Sequence, residues 1–257
     1  PAIRSLGTKL MTKTASSADG RETASPVLAV VMPALDEAAS IEAVLTAVRH
    51  QLPQALLLVV DDRSADDTAA RARRAGARVL PLVNRLGAWG ATQAGIRMAL
   101  RQGATAVVTM DADGQHRSAD IPRLLEPLAS GSADVAIGTC TERGSQARRL
   151  AWRLLRATSG IRMEDLTSGF RAYNRRACEL LAGWPASLLD YQDIGVLTLL
   201  LAEGRRVVEV DVAMAERQSG HSRVFSNWLR VGWYMARTLL LGLTKRRVRP
   251  YRSAAGT

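Results

Sequence analysis

The stretch ATAVVTMDADGQH, residues 104–116, decides which fold this chain adopts. Its first seven residues are mostly apolar or β-branched, which is typical of a strand buried in a parallel sheet. Asp111 and Asp113 follow at the carboxyl end of that strand, with Gly114 and Gln115 directly behind them. Carboxylate and amide oxygens are ligands that Mg²⁺ and Mn²⁺ prefer. Because Asp and Gly also favour turns, a plain strand-end turn is the alternative.

Outward from this stretch, strand and helix patterns alternate along the chain. Strands are predicted at residues 27–32, 55–60, 78–83, 104–110 and 134–138, the first ended by Pro33. Helices are predicted at residues 40–51 (capped by Ser40), from 64 onward, at 88–101 and at 120–128. Such β–α units indicate an α/β fold with a mostly parallel central sheet and helices on both faces. Ligands bind such sheets at the strand carboxyl ends, where Asp36–Glu37, Asp61–Asp62 and Asp111–Asp113 fall.

The composition limits the class of protein. The chain has 257 residues and 47% hydrophobic content, which suits one large α/β domain or a domain with a small appendage. Cys140 and Cys178 have neither paired spacing nor a nearby His cluster, so no disulfide framework or zinc site is indicated. Residues 1–25 are polar and lack the apolar segment of a signal peptide, so a flexible tail and a reducing, cytoplasmic compartment are expected.

The net charge of +11 is concentrated in two Arg-rich segments. One lies between Arg143 and Arg176, and the other lies between Lys245 and Arg252. Basic clusters attract phosphates, so nucleic acid, anionic lipid and phosphorylated substrates are all candidate ligands, with a solvated surface as the alternative. Because the aromatic content is 4% and no nucleic-acid-binding module is present, we expect no nucleic-acid partner.

Two common nucleotide-binding motifs do not occur in the sequence. A dinucleotide site needs G-x-G-x-x-G after the first strand, where this chain has PALDEA, residues 33–38, and the P-loop pattern is missing as well. Gly87, Gly90 and Gly95 lie in or beside a predicted helix, where close helix–sheet packing explains them as well as a ligand does. An acidic pocket without a glycine-rich loop favours a phosphate carried by a metal ion.

Five ordered motifs show which family this chain resembles. They are VVMPALDEAASI (30–41), VVDDRSADDT (59–68), VVTMDADGQH (107–116), DLTSGFRAY (165–173) and RQSGHSR (217–223). Together they resemble glycosyltransferase family 2, in the subgroup of dolichyl- and polyprenyl-phosphate sugar synthases. The resemblance implies a GT-A fold over residues 26–224, a divalent metal bound by a D-x-D motif, and inversion at the anomeric carbon of the sugar.

The resemblance implies a nucleoside site in the loops after the first two strands. The residues that it assigns to this site are Pro33, Ala34, Leu35, Glu37 and Asp62. Asp62 would accept a hydrogen bond from an N–H group of the nucleobase. Two neighbouring positions depart from the family pattern. Asp36 stands where Asn is common, and Arg63 stands where Gly is usual and would restrict the loop backbone.

The resemblance also implies a metal and diphosphate site. Asp111, Asp113 and Gln115 would bind Mg²⁺ or Mn²⁺ together with the diphosphate of a UDP- or GDP-linked sugar. Arg217, with Arg223, would close over the diphosphate and neutralise the charge that grows on it as the sugar leaves. Asp113 and Arg217 are therefore expected to act in catalysis, although an exposed surface position is the alternative for Arg217.

The expected acceptor is a polyprenyl phosphate. The resemblance assigns four residues to it: Arg143, Arg148, Arg149 and Ser168. Glu164 weakens this expectation because several relatives carry a basic residue at that position. If the acceptor is instead a hydroxyl, a carboxylate must accept its proton, and Asp193 is the candidate base or, alternatively, a helix-start residue. A non-catalytic nucleotide-binding relative is a further alternative, which the intact D-x-D motif disfavours. A nucleotidyltransferase is disfavoured by the glycine-free loop after the first strand.

Residues 225–257 are predicted to form an amphipathic helix and a basic tail. FSNWLRVGWYMARTLLLGL (225–243) has the length of a membrane span, but Arg230 and Arg237 would each cost roughly 2.5–3.5 kcal/mol near its middle. The apolar side and the following basic cluster indicate an interfacial helix on an anionic membrane, at the inner face of the cell membrane. The alternatives are packing on the chain's own core or in a homo-oligomer.

Overall fold

The computed structural model describes residues 27–140, 163, 168–189 and 194–215. The strands are β1 (Val27–Ala34), β2 (Leu56–Asp61), β3 (Arg78–Pro81), β4 (Ala104–Thr109), β5 (Val135–Thr139), β6 (Arg171–Asn174) and β7 (Val207–Asp211). The helices are α1 (Ile41–Gln51), α2 (Thr68–Arg74), α3 (Gly87–Arg101), α4 (Ile121–Ser130), α5 (Arg175–Ala182), α6 (Trp184–Ser187) and α7 (Ile194–Ala202). A 3₁₀ turn, Ser118–Asp120, precedes α4.

The strands form one sheet in the order β3–β2–β1–β4–β6–β5–β7. Neighbouring strands are parallel except at β6, which runs antiparallel to both β4 and β5. All strands except β6 therefore end at the same side of the sheet, which we call the carboxyl edge, and β6 begins there. The prediction of a mostly parallel sheet is confirmed.

Helices cover both faces of this sheet, as predicted. Helices α1, α2 and α4 pack against one face, with Val30, Val59 and Val108 in the shared core. Helices α3, α5 and α7 pack against the other face, with Val31 and Val60 in a second core. Because successive side chains of a strand point to opposite faces, a strand buried on both sides needs apolar residues at every position. This explains the continuous apolar runs of β1, β2 and β4.

Several predicted element boundaries were wrong. The first strand continues through Pro33 to Ala34. Proline is tolerated there because β1 pairs only with β2 at this point, so its missing N–H leaves no gap in the pairing with β4. The third strand ends at Pro81 rather than at residue 83. Helix α2 begins at Thr68 rather than at residue 64, because the residues before it bond to another loop. Ser40 precedes α1, but its side chain makes no cap hydrogen bond.

Gly95 allows α3 to pack closely on the sheet. A Cβ atom at this position would lie 2.3 Å from Val31 Cγ1 and 3.0 Å from Val60 Cγ2, closer than atoms in ordinary contact. The packing interpretation of Gly95 is thus confirmed. Gly87 has a different reason to be glycine, because its φ of 75° at the start of α3 lies in the left-handed region.

Asp134 joins β5, β6 and the chain before β7 at the edge opposite the carboxyl edge. Its Oδ1 accepts a hydrogen bond from Asn174 Nδ2 (2.8 Å), and its Oδ2 accepts one from the Arg206 backbone N–H (2.8 Å). Burial raises the pKa of this carboxyl, but the hydrogen bonds and the Arg206 charge outweigh burial and hold the pKa below its usual value.

We expect Asp134→Asn to lower the free energy of unfolding by about 1–3 kcal/mol at neutral pH, because the amide cannot accept both hydrogen bonds. The ionised carboxylate stabilises the fold above the unfolded-state pKa, near 3.9, and this contribution is lost as the pH falls through the lower folded-state pKa. Urea denaturation of both proteins from pH 7 to pH 3 checks this. A difference that stays constant down to pH 3 would contradict the prediction.

Candidate active site

The loops after β1 and β2 are hydrogen-bonded to each other at the carboxyl edge. The backbone N–H of Asp36 donates to Ser64 Oγ (2.9 Å), and that of Glu37 donates to Thr68 Oγ1 (2.8 Å). In return, Asp36 Oδ1 accepts a hydrogen bond from the Ala65 N–H (2.7 Å). The loop that is expected to hold the nucleoside therefore has a shape fixed by its neighbour.

Two residues of these loops have left-handed backbones. Asp36 has a φ of 50° and Arg63 has a φ of 65°. Asp and Asn tolerate this region better than other side chains, so Asp36 preserves what Asn provides at this position. Arg63 occupies a conformation that glycine adopts freely, at a cost of roughly 1–2 kcal/mol for an L side chain. The glycine that the family resemblance leads one to expect at this position would adopt this conformation without strain.

Asp62 connects the end of β2 to the start of α3. Its Oδ1 accepts a hydrogen bond from the Leu86 N–H (2.7 Å), and its Oδ2 accepts one from the Gly87 N–H (3.0 Å). The side chain is only 4% exposed, and these N–H groups at a helix start have no partner within the helix. Asp62 thus fixes the position of α3. Each carboxylate oxygen can accept more than one hydrogen bond, so a contact with a nucleobase is compatible with this role.

The two carboxylates of DADGQH have different surroundings. Asp113 is 6% exposed, and its Oδ1 accepts a hydrogen bond from the Gln115 N–H (3.0 Å) in a turn that Gly114 completes with a φ of 80°. The Asp111 side chain, by contrast, is about half exposed at 49%. Ser40 Oγ donates a hydrogen bond to the carbonyl of Ala112 (2.8 Å), so the residue before α1 helps to fix this turn.

Gly169 of the DLTSGFRAY motif leaves room for the Asp111 carboxylate. A Cβ atom on Gly169 would lie 3.0 Å from Asp111 Oδ1. The Gly169 carbonyl accepts a hydrogen bond from Thr109 Oγ1 (2.8 Å), which fixes this approach. Ser168 is the preceding residue, and its carbonyl accepts a hydrogen bond from Nε of the buried Arg171 (2.7 Å). The structure therefore brings Gly169, the residue after the expected acceptor residue Ser168, close to the expected metal ligand Asp111.

His116 contacts both of these motifs, although the sequence assigned it no role. Its Nδ1 accepts a hydrogen bond from the Asp111 N–H (3.0 Å), and its Nε2 lies 3.8 Å from Asp111 Oδ2. Its ring stacks on Phe170 with a centroid distance of 5.0 Å and an angle of 14° between the planes. The signal in the sequence was its position inside the DADGQH stretch.

The segment before RQSGHSR also reaches this cluster. Met214 forms an antiparallel bridge with His116, and the Ala215 N–H donates to the Gln115 carbonyl (2.9 Å). Ala215 is two positions before Arg217 in the sequence. Several predicted residues lie outside the described ranges, and their roles stay predictions: Arg143, Arg148, Arg149, Asp193, Arg217 and Arg223. The predicted tail at residues 1–25 and the predicted helix and tail at residues 225–257 lie outside them as well.

The donor set at the carboxyl edge fits a metal that binds together with its substrate. Within the described ranges, no group of three or more His, Cys, Asp and Glu side chains could hold a metal ion. Asp111 and Asp113 would supply two carboxylates, and Gln115 would add an amide oxygen. Mg²⁺ is commonly held by one or two carboxylates, with water and substrate phosphates as the other ligands. These three residues therefore suit a catalytic Mg²⁺ or Mn²⁺ better than a permanently bound structural ion.

A comparison with known families decides what kind of protein carries this site. The model of glycosyl transferase family 2 matches residues 29–181, from β1 to the end of α5. The chain belongs to glycosyltransferase family 2. This family 2 enzyme is 31% identical over 221 residues to polyprenol monophosphomannose synthase of Mycolicibacterium smegmatis, covering 78% of this chain and 82% of the relative. It is 32% identical over 210 residues to undecaprenyl-phosphate mannosyltransferase of Micrococcus luteus, covering 76% and 86%.

Solved structures confirm the GT-A fold of this glycosyltransferase. Glucosyl-3-phosphoglycerate synthase from Mycobacterium tuberculosis, in complex with Mn²⁺, UDP and phosphoglyceric acid, superimposes with a TM-score of 0.68 at 23% identity, covering 99% of this chain and 85% of that one. A complex of the same enzyme with Mn²⁺, UDP-glucose and phosphoglyceric acid gives a TM-score of 0.62 at 25% identity, covering 85% and 80%. The family places this chain among the glycosyltransferase enzymes.

Proposed function

We propose that this glycosyltransferase moves a sugar from a nucleoside diphosphate sugar to a polyprenyl phosphate, with the help of Mg²⁺ or Mn²⁺. The contact of Gly169 with Asp111 carries the proposal, because it brings Ser168 of the expected acceptor motif to the expected donor site. The names of the two bacterial relatives, which this chain matches over more than three quarters of its length, support a lipid phosphate as the acceptor.

The donor half of the reaction depends on residues at the ends of β1, β2 and β4. The loop from Pro33 to Glu37, together with Asp62, would hold the nucleoside. Asp111, Asp113 and Gln115 would hold the metal ion, which when bound supplies positive charge to the leaving diphosphate. Arg217 and Arg223 would add further positive charge to the diphosphate. Fixed charges of this kind stabilise a transition state because they need no reorganisation during the reaction.

The acceptor half of the reaction requires no general base. An oxygen of the lipid phosphate, already anionic at neutral pH, forms a bond to the anomeric carbon of the sugar. The bond from that carbon to the diphosphate breaks on the opposite face, and its electron pair leaves with the nucleoside diphosphate. Ser168, Arg143, Arg148 and Arg149 would hold the phosphate of the acceptor. A hydroxyl acceptor would instead need a proton acceptor, for which Asp193 is the candidate.

An acceptor assay tests the proposal. The purified enzyme is incubated with UDP-, GDP- and dTDP-linked sugars, Mg²⁺ or Mn²⁺, and a short-chain polyprenyl phosphate, and glycolipid formation is measured by mass spectrometry. The matching polyprenyl alcohol and a water-soluble hydroxyl acceptor serve as controls. We expect product from the phosphate alone. Product from a hydroxyl acceptor that disappears in Asp193→Asn would replace the proposal by the hydroxyl-directed alternative.

We further expect the enzyme to bind the inner face of the cell membrane through its basic tail. No helix among residues 27–140, 168–189 and 194–215 is long and apolar enough to cross a membrane. A charge-reversal variant should no longer co-sediment with anionic vesicles, because each basic residue contributes about 1 kcal/mol at such a surface. It carries Glu in place of Lys245, Arg246, Arg247 and Arg249.

Salt and lipid charge provide the controls for this prediction. Binding of the parent protein should fall as salt is raised, since exposed charges are screened over about 8 Å at physiological ionic strength. Vesicles of neutral lipid should bind both proteins weakly. If the parent protein does not sediment with anionic vesicles, or if the reversed variant sediments equally well, the tail does not attach the enzyme to the membrane.

A further inference from the structure

We propose that His116 is a positioning residue for the Asp111 carboxylate and holds it against the acceptor motif. This inference rests on the proposed function, in which Asp111 binds the metal. His116 is only 5% exposed. It contacts three segments: the residues that follow β4, Phe170 just before β6, and Met214 after β7. The Asp111 side chain is about half exposed, so packing alone does not fix its orientation.

His116 approaches Asp111 at two points. Its Nδ1 accepts a hydrogen bond from the Asp111 backbone N–H at 3.0 Å, which fixes the backbone where the D-x-D motif begins. Its Nε2 lies 3.8 Å from Asp111 Oδ2, which is too long for a hydrogen bond but places the edge of the ring beside the carboxylate. One side chain thus bonds to the backbone of Asp111 and limits the space that its carboxylate can occupy.

If His116 only filled space in the core, a ring without nitrogen atoms would serve as well. The ring stacks on Phe170 almost in parallel, which any flat aromatic side chain could do. The two ring nitrogen atoms, by contrast, both lie close to Asp111. Partners of metal ligands in other proteins orient those ligands, and their removal typically weakens metal binding 10- to 100-fold. His116 bonds to the backbone of Asp111 and lies beside its carboxylate, so we expect it to orient this ligand.

Three substitutions separate these contributions. His116→Phe keeps the stacking on Phe170 and removes both nitrogen atoms. His116→Asn retains an acceptor near the position of Nδ1, and His116→Gln retains a donor near the position of Nε2. We expect Phe to weaken Mn²⁺ binding 10- to 100-fold and Asn or Gln to restore part of the affinity. Free Mn²⁺ is measured by electron paramagnetic resonance in titrations with whichever of UDP or GDP raises the melting temperature of the wild-type enzyme.

Kinetics provide a second readout that altered packing would not change. In His116→Phe the metal concentration for half-maximal rate should rise, while the KM for the acceptor stays the same. Mn²⁺ affinity within twofold of wild type in a folded His116→Phe variant would overturn the inference. If Asp113→Ala nevertheless loses Mn²⁺ binding in the same titration, only the role of His116 is overturned and the proposed metal site stands. Absence of Mn²⁺ uptake by the wild type with either nucleotide would overturn both.

Discussion

Asp113→Ala is expected to lower the rate of sugar transfer by at least about a hundredfold, because it removes a metal ligand that acts on the leaving diphosphate. The fold should survive the change. Asp113 lies in a turn at the carboxyl edge, where its hydrogen bond with the Gln115 N–H is local. Such a bond contributes about 0.5–1.5 kcal/mol, which is small beside a typical unfolding free energy of about 5–15 kcal/mol.

Initial rates of glycolipid formation at saturating Mg²⁺ or Mn²⁺ check this expectation, with circular dichroism as the measure of folding. Asp134→Asn is a matched control, because Asp134 is also a buried carboxylate but lies at the opposite edge of the sheet. The rate per folded molecule should be unchanged in this control. Unimpaired transfer by Asp113→Ala, or full wild-type activity in excess EDTA, would show that the D-x-D motif does not bind an essential metal.

Asp62→Ala is expected to weaken binding of the nucleoside diphosphate about tenfold or more and to destabilise the free protein. The first effect follows from the proposed contact with a nucleobase N–H, whose loss leaves a buried donor unpaired at roughly 1–3 kcal/mol. The second effect follows from the structure, since Leu86 and Gly87 would both lose the acceptor for their backbone N–H groups. The affinity loss should depend little on metal, because Asp62 is not among the expected metal ligands.

Isothermal titration calorimetry with and without EDTA measures the affinity, and the melting temperature of the ligand-free protein measures the destabilisation. Asp62→Asn distinguishes the two effects, because its amide oxygen can still accept one hydrogen bond at the helix start. We expect it to recover part of the stability. Equal nucleotide affinity for wild type and Asp62→Ala at a temperature where both are folded would refute the nucleobase contact.

Sequence patterns were sufficient for most of the sheet because burial on both faces leaves a continuous apolar signal. That signal is missing in β6, whose four residues include the buried Arg171 and the polar Asn174. β6 is stabilised by its neighbours β4 and β5 and by the buried hydrogen bond of Arg171, rather than by an apolar run. Its antiparallel direction could not be predicted, since pairing between distant strands leaves no local pattern.

In the candidate site, too, some features could be predicted from the sequence and others could not. Asp62, Asp111 and Asp113 could be predicted because carboxylates directly after buried strands meet at one edge of a parallel sheet. The bonds from Asp62 to α3 and from His116 to Asp111 could not, because hydrogen bonds from side chains to backbone have no periodicity. Residues 64–67 were misassigned to a helix for this reason: Ser64 and Ala65 bond to the loop after β1 instead.

The reversed direction of β6 has a consequence for how such enzymes could diversify. The connection from β5 to β6 leaves and re-enters the sheet at the same place, where the Gly138 N–H donates to the Phe170 carbonyl (2.8 Å). Joining two fixed chain ends costs only about 0.6 kcal/mol more for each doubling of the connection's length. Evolution, or an engineer, could therefore lengthen or shorten the connection between β5 and β6 at small cost, while Gly169 and Phe170 keep their places beside Asp111 and His116.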